Sequence, residues 1–137
     1  RSALGLSQMK RLDKSNDLRK KASEYYTSQL SNVKGIIPPV DSKNNENSFH
    51  LYIIRITKDF PITRNALFKK LLNKGIRTSV HYKPLNQFSL FKKMAKSYDK
   101  LKISNMLYDE ILSLPMYPTI RKSDQNYVIK SIKNGII

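Results

Sequence analysis

Phe49-His50-Leu51-Tyr52-Ile53-Ile54-Arg55-Ile56-Thr57 is the segment on which the fold class turns. Tyr52, Ile54 and Ile56 would point to one side of an extended chain, and Phe49, Leu51 and Ile53 to the other. Aromatic and β-branched residues suit a pleated surface, so the segment predicts a strand. Apolar residues on both faces predict a central strand, covered on both sides. His50, in so apolar a strand, is expected to be a core histidine with a hydrogen-bond partner rather than a ligand. Tyr52 reads first as core aromatic and second as ligand contact.

Downstream, residues 64–74 predict a helix. Thr63 suits its N-cap, and Ile62 can staple onto Leu67. Leu67, Phe68, Leu71 and Leu72 form its expected buried stripe, and Gly75 sits where a helix-ending glycine belongs. Residues 76–82 then alternate as a second strand ended by Pro84, with Ile76, Thr78, Val80 and Tyr82 on one face and Arg77, Ser79 and His81 on the other. A short helix is expected over 88–96, and another carries Ile103, Met106, Leu107, Ile111 and Leu112. Leu114-Pro115-Met116-Tyr117-Pro118 must be extended, and its prolines place it at a sheet edge. Ser123 is the expected cap of a last helix bearing Val128, Ile129 and Ile132, closed by Gly135.

Upstream, Leu4, Leu12, Leu18, Ala22, Tyr25, Tyr26 and Leu30 recur at helical spacing and predict one long helix over 2–31. Gly35 ends that pattern. Ile36-Ile37-Pro38-Pro39 reads as a short extended piece, and residues 41–47 as a polar loop. The expected fold class is therefore α+β: a small antiparallel or mixed sheet with helices packed on it. The expected organisation is a long leading helix, 1–31, joined to a small domain, 32–137, in one compact unit. With 137 residues the chain fits one domain.

Charge and composition narrow the functions. Lys and Arg number 26 against 10 Asp and Glu, a formal net charge of +16, which attracts polyanions or phosphorylated small molecules. The basic residues are scattered, and neither a zinc-finger spacing nor an aromatic RNA-binding motif is present, so nucleic acid is not the expected partner. The chain has no cysteine, which excludes disulfides and thiolate metal sites and suits a cytoplasmic setting. No apolar run approaches the roughly 20 residues of a membrane helix, so no membrane partner is expected. Only His50 and His81 could supply imidazole to a metal, with no helical ligand pair beside them, so no metal site is expected. Four glycines form no phosphate loop, and no serine sits in a nucleophile elbow. The residues thus hold no complete catalytic constellation. His81, beside Ser79 and just before a turn, is the most interesting position, although by itself the pattern reads more readily as a solvent-facing polar row. Arg1-Ser2-Ala3-Leu4-Gly5 resembles no signal peptide, and the chain is expected to begin inside a longer protein.

Four segments resemble one family. Ser2-Ala3-Leu4-Gly5-Leu6-Ser7-Gln8-Met9-Lys10-Arg11-Leu12 is similar to an "AALGLAQLKRL" helix, and Phe49-His50-Leu51-Tyr52 to an "HLY" strand. Gly75-Ile76-Arg77-Thr78-Ser79-Val80-His81-Tyr82-Lys83-Pro84-Leu85 resembles "GIGTGVHYPPLH". Ile111-Leu112-Ser113-Leu114-Pro115-Met116-Tyr117-Pro118 resembles "ILSLPLYP". These motifs, in this order, belong to the DegT/DnrJ/StrS type of PLP-dependent sugar aminotransferases.

The resemblance implies the C-terminal domain of a fold type I PLP-dependent transferase. It implies an N-terminal PLP-binding domain as a missing partner, and a homodimer with shared active sites. The implied reaction moves an amino group, usually from glutamate, to a nucleotide-linked keto sugar in polysaccharide or amino-sugar biosynthesis. PLP is the cofactor of the whole enzyme. The family's Schiff-base lysine, its pyridine-pairing acid and its phosphate-cup residues would lie upstream of Arg1, as would the Asn and Arg that reach across the dimer. No PLP is therefore expected on this chain, nor activity from it alone. His81 matches a family position that faces the sugar nucleotide, which shifts its reading toward a substrate-side role. Ser79 and Asn86 join it as expected substrate-binding residues. Asn86 replaces a second family histidine, which leaves a hydrogen-bonding group that cannot become cationic. A stand-alone polyanion-binding or interaction domain is the rival reading.

Overall fold

A computed structural model describes residues 2–41, 47–94 and 101–134. The elements follow as α1 (Ser2–Met9), α2 (Leu12–Leu30), β1 (Ile36–Ile37), β2 (Tyr52–Ile56), α3 (Arg64–Asn73), a 3-10 turn (Leu85–Gln87), α4 (Ser89–Met94), α5 (Lys102–Glu110), β3 (Ile111–Leu114) and α6 (Lys122–Lys133). The three strands form an antiparallel sheet in the order β1-β2-β3. The α+β expectation holds, and the most apolar segment is the central strand.

β2 begins at Tyr52 rather than Phe49 because Phe49 has a φ of 49°. A left-handed residue cannot continue a strand. The Phe49 amide instead donates to Asn47 Oδ1 at 2.8 Å, a local turn. His50 falls in this lead-in and is exposed, not a core histidine. From Tyr52 on, alternation decides burial. Tyr52, Ile54 and Ile56 are buried with Leu112 and Leu114 of β3, beneath α2, α3 and α6. Ile53 and Arg55 face the other way and are half-buried.

Thr63 caps α3 as expected, its hydroxyl accepting from the Ala66 amide at 3.3 Å. Leu67 and Leu71 are fully buried, Phe68 partly, but Leu72 is half exposed. The buried stripe is narrower than the sequence suggests because α3 meets the core along one edge. Gly75 takes a φ of 74° after the helix.

Five further expectations need correction. The helix over 2–31 is two helices, because Lys10 and Arg11 form a turn. The Arg11 amide bonds to Gln8 O, three residues back, and α2 restarts from there. Apolar spacings in threes and fours fit a restarted helix as well as a continuous one. Residues 76–82 are not a ladder strand: they lie along the free edge of β3 and pair only once, Ser79 with Ser113. Tyr82, expected on an apolar face, is exposed. Ile111 and Leu112 belong to β3, not α5. Their helical spacing is overridden by pairing with β2, where Arg55 meets Ile111 and Ile54 meets Leu112. Finally, Ser123 lies inside α6, whose N-cap is Arg121 with no side-chain cap. Asp124 occupies the first turn, where a carboxylate meets the positive helix end, and Arg121 bonds it at 2.9 Å. The Arg121 hydrogen bond holds the Asp124 carboxyl below its ordinary value.

Residues 36–37 are extended as read, and 88–96 holds the short helix α4 as far as Met94. The loop residues 42–46, residues 95–100 and Gly135 lie outside the described residues. Among the described residues no helix is long and apolar enough to cross a membrane.

Candidate substrate-side site

Side chains alternate across a strand, so Ser113 points away from its buried neighbours Leu112 and Leu114. It emerges on the second face of the sheet, opposite α2, α3 and α6, yet it is only 3% exposed. The segment along the free edge of β3 bonds to it through Ser79 and His81. The Ser79 amide donates to Ser113 O at 3.2 Å, and the Ser113 amide donates to Ser79 O at 2.8 Å. Two residues on, His81 Nδ1 lies 2.8 Å from Ser113 Oγ. Ser113 thus joins two of the three expected site residues, Ser79 through backbone and His81 through side chain.

The other ring nitrogen of His81, Nε2, has no partner among the described residues and is not a buried atom. It is the ring's available polar group. The Tyr82 ring lies edge-on to the imidazole, with centroids 4.8 Å apart, and is 75% exposed beside it. Lys83 follows, its ammonium 5.2 Å from the Phe88 ring centre. Ser79 is itself exposed.

Asn86 stands on a different support. Its Nδ2 donates to Asn105 Oδ1 of α5 at 3.3 Å, and Gln87 Nε2 donates to the same oxygen at 2.9 Å. Asn86 Oδ1 is buried with no hydrogen-bond partner among the described residues, and so is Thr78 Oγ1. Asn86 therefore holds the 3-10 turn to α5, and the structure shows no contact between it and His81 or Ser79.

The end of α5 is pinned by two arginines. Arg64 of α3 is 8% exposed and donates to Tyr108 O at 2.6 Å and Asp109 O at 3.3 Å. Arg55 of β2 bonds Glu110 at 2.7 Å. These contacts set where α5, and so Asn105, sits relative to the sheet.

Ser113 and Asn105 were not among the residues expected at the site. Ser113 had a signal: it is the single polar residue in the run Ile111-Leu112-Ser113-Leu114. Asn105 had none, being a polar residue on a surface helix.

A Schiff-base lysine must be desolvated or paired to act as an amine nucleophile. None of the described lysines is buried, so the described residues do not fit a covalent PLP anchor. Among the described residues no group of three or more His, Cys, Asp or Glu could hold a metal.

Residues 1–133 match the profile of the DegT/DnrJ/EryC1/StrS aminotransferase family. The chain belongs to this family. It is 30% identical over 126 residues to the UDP-4-amino-4,6-dideoxy-N-acetyl-beta-L-altrosamine transaminase of Campylobacter jejuni, which covers 92% of this chain and 33% of that protein. In structure it resembles Helicobacter pylori PseC, an aminotransferase involved in the biosynthesis of pseudoaminic acid. The TM-score is 0.89 at 26% identity, covering 98% of this chain and 36% of that one. The putative sugar aminotransferase Spr1654 of Streptococcus pneumoniae, in its PLP form, gives a TM-score of 0.86 at 26% identity over 96% of this chain and 34% of that one. This DegT/DnrJ/EryC1/StrS chain thus spans about a third of the length of the relatives it matches, and its family is PLP-dependent.

Proposed function

We propose that this chain is the C-terminal domain of a homodimeric, cytoplasmic PLP-dependent aminotransferase. The whole enzyme would transfer an amino group, from glutamate, to a keto sugar carried on a nucleotide. The observation that carries the reading is the family match across residues 1–133. The named activity of the Campylobacter relative, a transamination on a UDP-linked sugar, supports the substrate class. Exposed apolar residues on α1 support a docked partner domain: Leu4, Leu6 and Met9 are each about two-thirds exposed. No residue of α1 is buried, so the whole helix leaves its apolar side chains without a packing partner within this chain.

PLP, when bound, supplies the electron sink for the transfer, and its anchoring lysine belongs to the rest of the enzyme. The share of this domain is to orient the sugar nucleotide. His81 Nε2 would hydrogen-bond a sugar hydroxyl or a phosphate oxygen, with Ser79 close by on the same segment. Asn86 would join the substrate side from the 3-10 turn that Asn105 holds. The net charge of +16 favours an anionic nucleotide diphosphate at this surface.

The test uses the full-length enzyme. His81→Ala should raise KM for the sugar nucleotide roughly tenfold, the size of one hydrogen bond to a charged acceptor. The absorbance of bound PLP should not change. Unaltered sugar-nucleotide kinetics would defeat the assignment of His81.

A further inference from the structure

The imidazole of His81 has two neutral tautomers, and which one is present decides what it offers to a substrate. Its Nδ1 faces a single group, the hydroxyl of Ser113, 2.8 Å away. Ser113 is only 3% exposed, which leaves its hydroxyl little access to water. The backbone amide and carbonyl of Ser113 are both taken by Ser79. No other partner reaches Ser113 Oγ among the described residues.

Two arrangements are open. If Nδ1 carried the proton, it would donate to Oγ, and the Ser113 hydroxyl proton would be buried with no acceptor. An unmet buried donor costs about 1–3 kcal/mol. If the hydroxyl instead donates to a bare Nδ1, its proton is satisfied, and only spare oxygen lone pairs go unused. Unpaired donors are rarer in proteins than under-used acceptors, so the second arrangement wins. The imidazole proton then resides on Nε2, the nitrogen with no protein partner.

From this geometry we infer that Ser113 is a positioning residue that locks His81 in its Nε2–H tautomer, so that His81 presents a hydrogen-bond donor, not an acceptor, to its ligand. The ligand atom opposite is therefore an oxygen acceptor, such as a phosphate or a sugar ether or carbonyl oxygen. A hydroxyl there receives the bond rather than giving it. The inference deepens the proposed function and rests on it for the identity of the ligand. The tautomer itself does not depend on that reading.

Nitrogen-15 NMR of the histidine-labelled full-length protein tests it, with His81→Gln assigning the signal. The expected result is an Nε2–H pattern for His81 at neutral pH. Ser113→Ala should turn that pattern into a tautomer mixture, and Ser113→Thr, which keeps the hydroxyl, should restore it. In steady-state kinetics, Ser113→Ala should raise KM for the sugar nucleotide several-fold. An Nδ1–H pattern in the wild type overturns the inference outright, without any variant needing to fold. So does a Ser113→Ala protein that keeps the pure Nε2–H pattern. Should His81→Ala leave the kinetics untouched, the substrate-side function fails, and the NMR pattern alone decides the role of Ser113.

Discussion

The phenol oxygen of Tyr52 lies 2.9 Å from the hydroxyl of Thr27, tying the central strand to α2 at the edge of the core. The Tyr26 ring packs 5.0 Å from the Tyr52 ring, and Tyr26 OH donates to Pro115 O just past β3. Two buried tyrosines thus fasten the first long helix to both of the longer strands.

The first prediction follows from that pair. Tyr52→Phe should cost about 1 kcal/mol at neutral pH, the net worth of one hydrogen bond. Burial pushes the Tyr52 phenol up to about 12, partly offset by the Thr27 bond, and burial raises Tyr26 further still. A raised folded-state value means the stability is fully present below pH 10, where the unfolded phenol begins to ionise. It is lost as pH rises toward 12, by about 1.4 kcal/mol per pH unit. Urea midpoints at pH 8 and pH 11 should show a steeper fall in the wild type than in Tyr52→Phe. Equal falls would contradict the assignment.

Two glycines should behave differently. Both have positive φ, 81° at Gly35 and 74° at Gly75. A Cβ on Gly35 would overlap the backbone of Asp59 and Phe60, whereas a Cβ on Gly75 would meet nothing within 4 Å. Gly75→Ala should cost only the left-handed strain, about 1–2 kcal/mol. Gly35→Ala adds a backbone clash and should cost at least about 2 kcal/mol more, or prevent folding. Thermal melting of the two variants checks the order.

Adjacent leucines on α3 offer a third comparison. Leu71 is fully buried and Leu72 is 50% exposed. Leu71→Ala should lose about 2–5 kcal/mol through lost burial and the cavity left behind. Leu72→Ala should lose less than about 1 kcal/mol. Denaturant titration of this chain reads both; similar losses would mean that α3 docks on a different face.

Arg64 satisfies two carbonyls at the end of α5 and lies 5.3 Å from the Tyr108 ring centre. Arg64→Ala should cost about 2–3 kcal/mol, because the charged bonds are lost and the carbonyls are left with fewer partners. Lysine has no planar fork, so Arg64→Lys should recover less than half of that loss in the same titration. Full recovery would show that charge, not the fork, is what counts.

The resemblance was written into short motifs, and the elements with strong local signals were legible as well. Thr63 and Gly75 bracket α3 because a cap and a positive-φ glycine act within one turn of chain. Tyr52, Ile54 and Ile56 mark β2 because alternation is a property of consecutive residues. Two of the misread elements depend on distant chain. Residues 76–82 have the alternation of a strand, but only Ser79 finds a partner. Ile111 and Leu112 fit a helix until β2 pairs with them.

What the amino-acid order determined alone was the class of fold, the central strand and the family to which the motifs belong, since these rest on periodicity and on contiguous runs. Tertiary structure alone decided that His81 leans on Ser113, 32 residues away, and that Asn86 is held by Asn105. Hydrogen-bond partners across such separations are chosen by how helices and sheet pack, and no local pattern encodes that choice. The chemical character of His81 is set there, by a buried hydroxyl on the neighbouring strand.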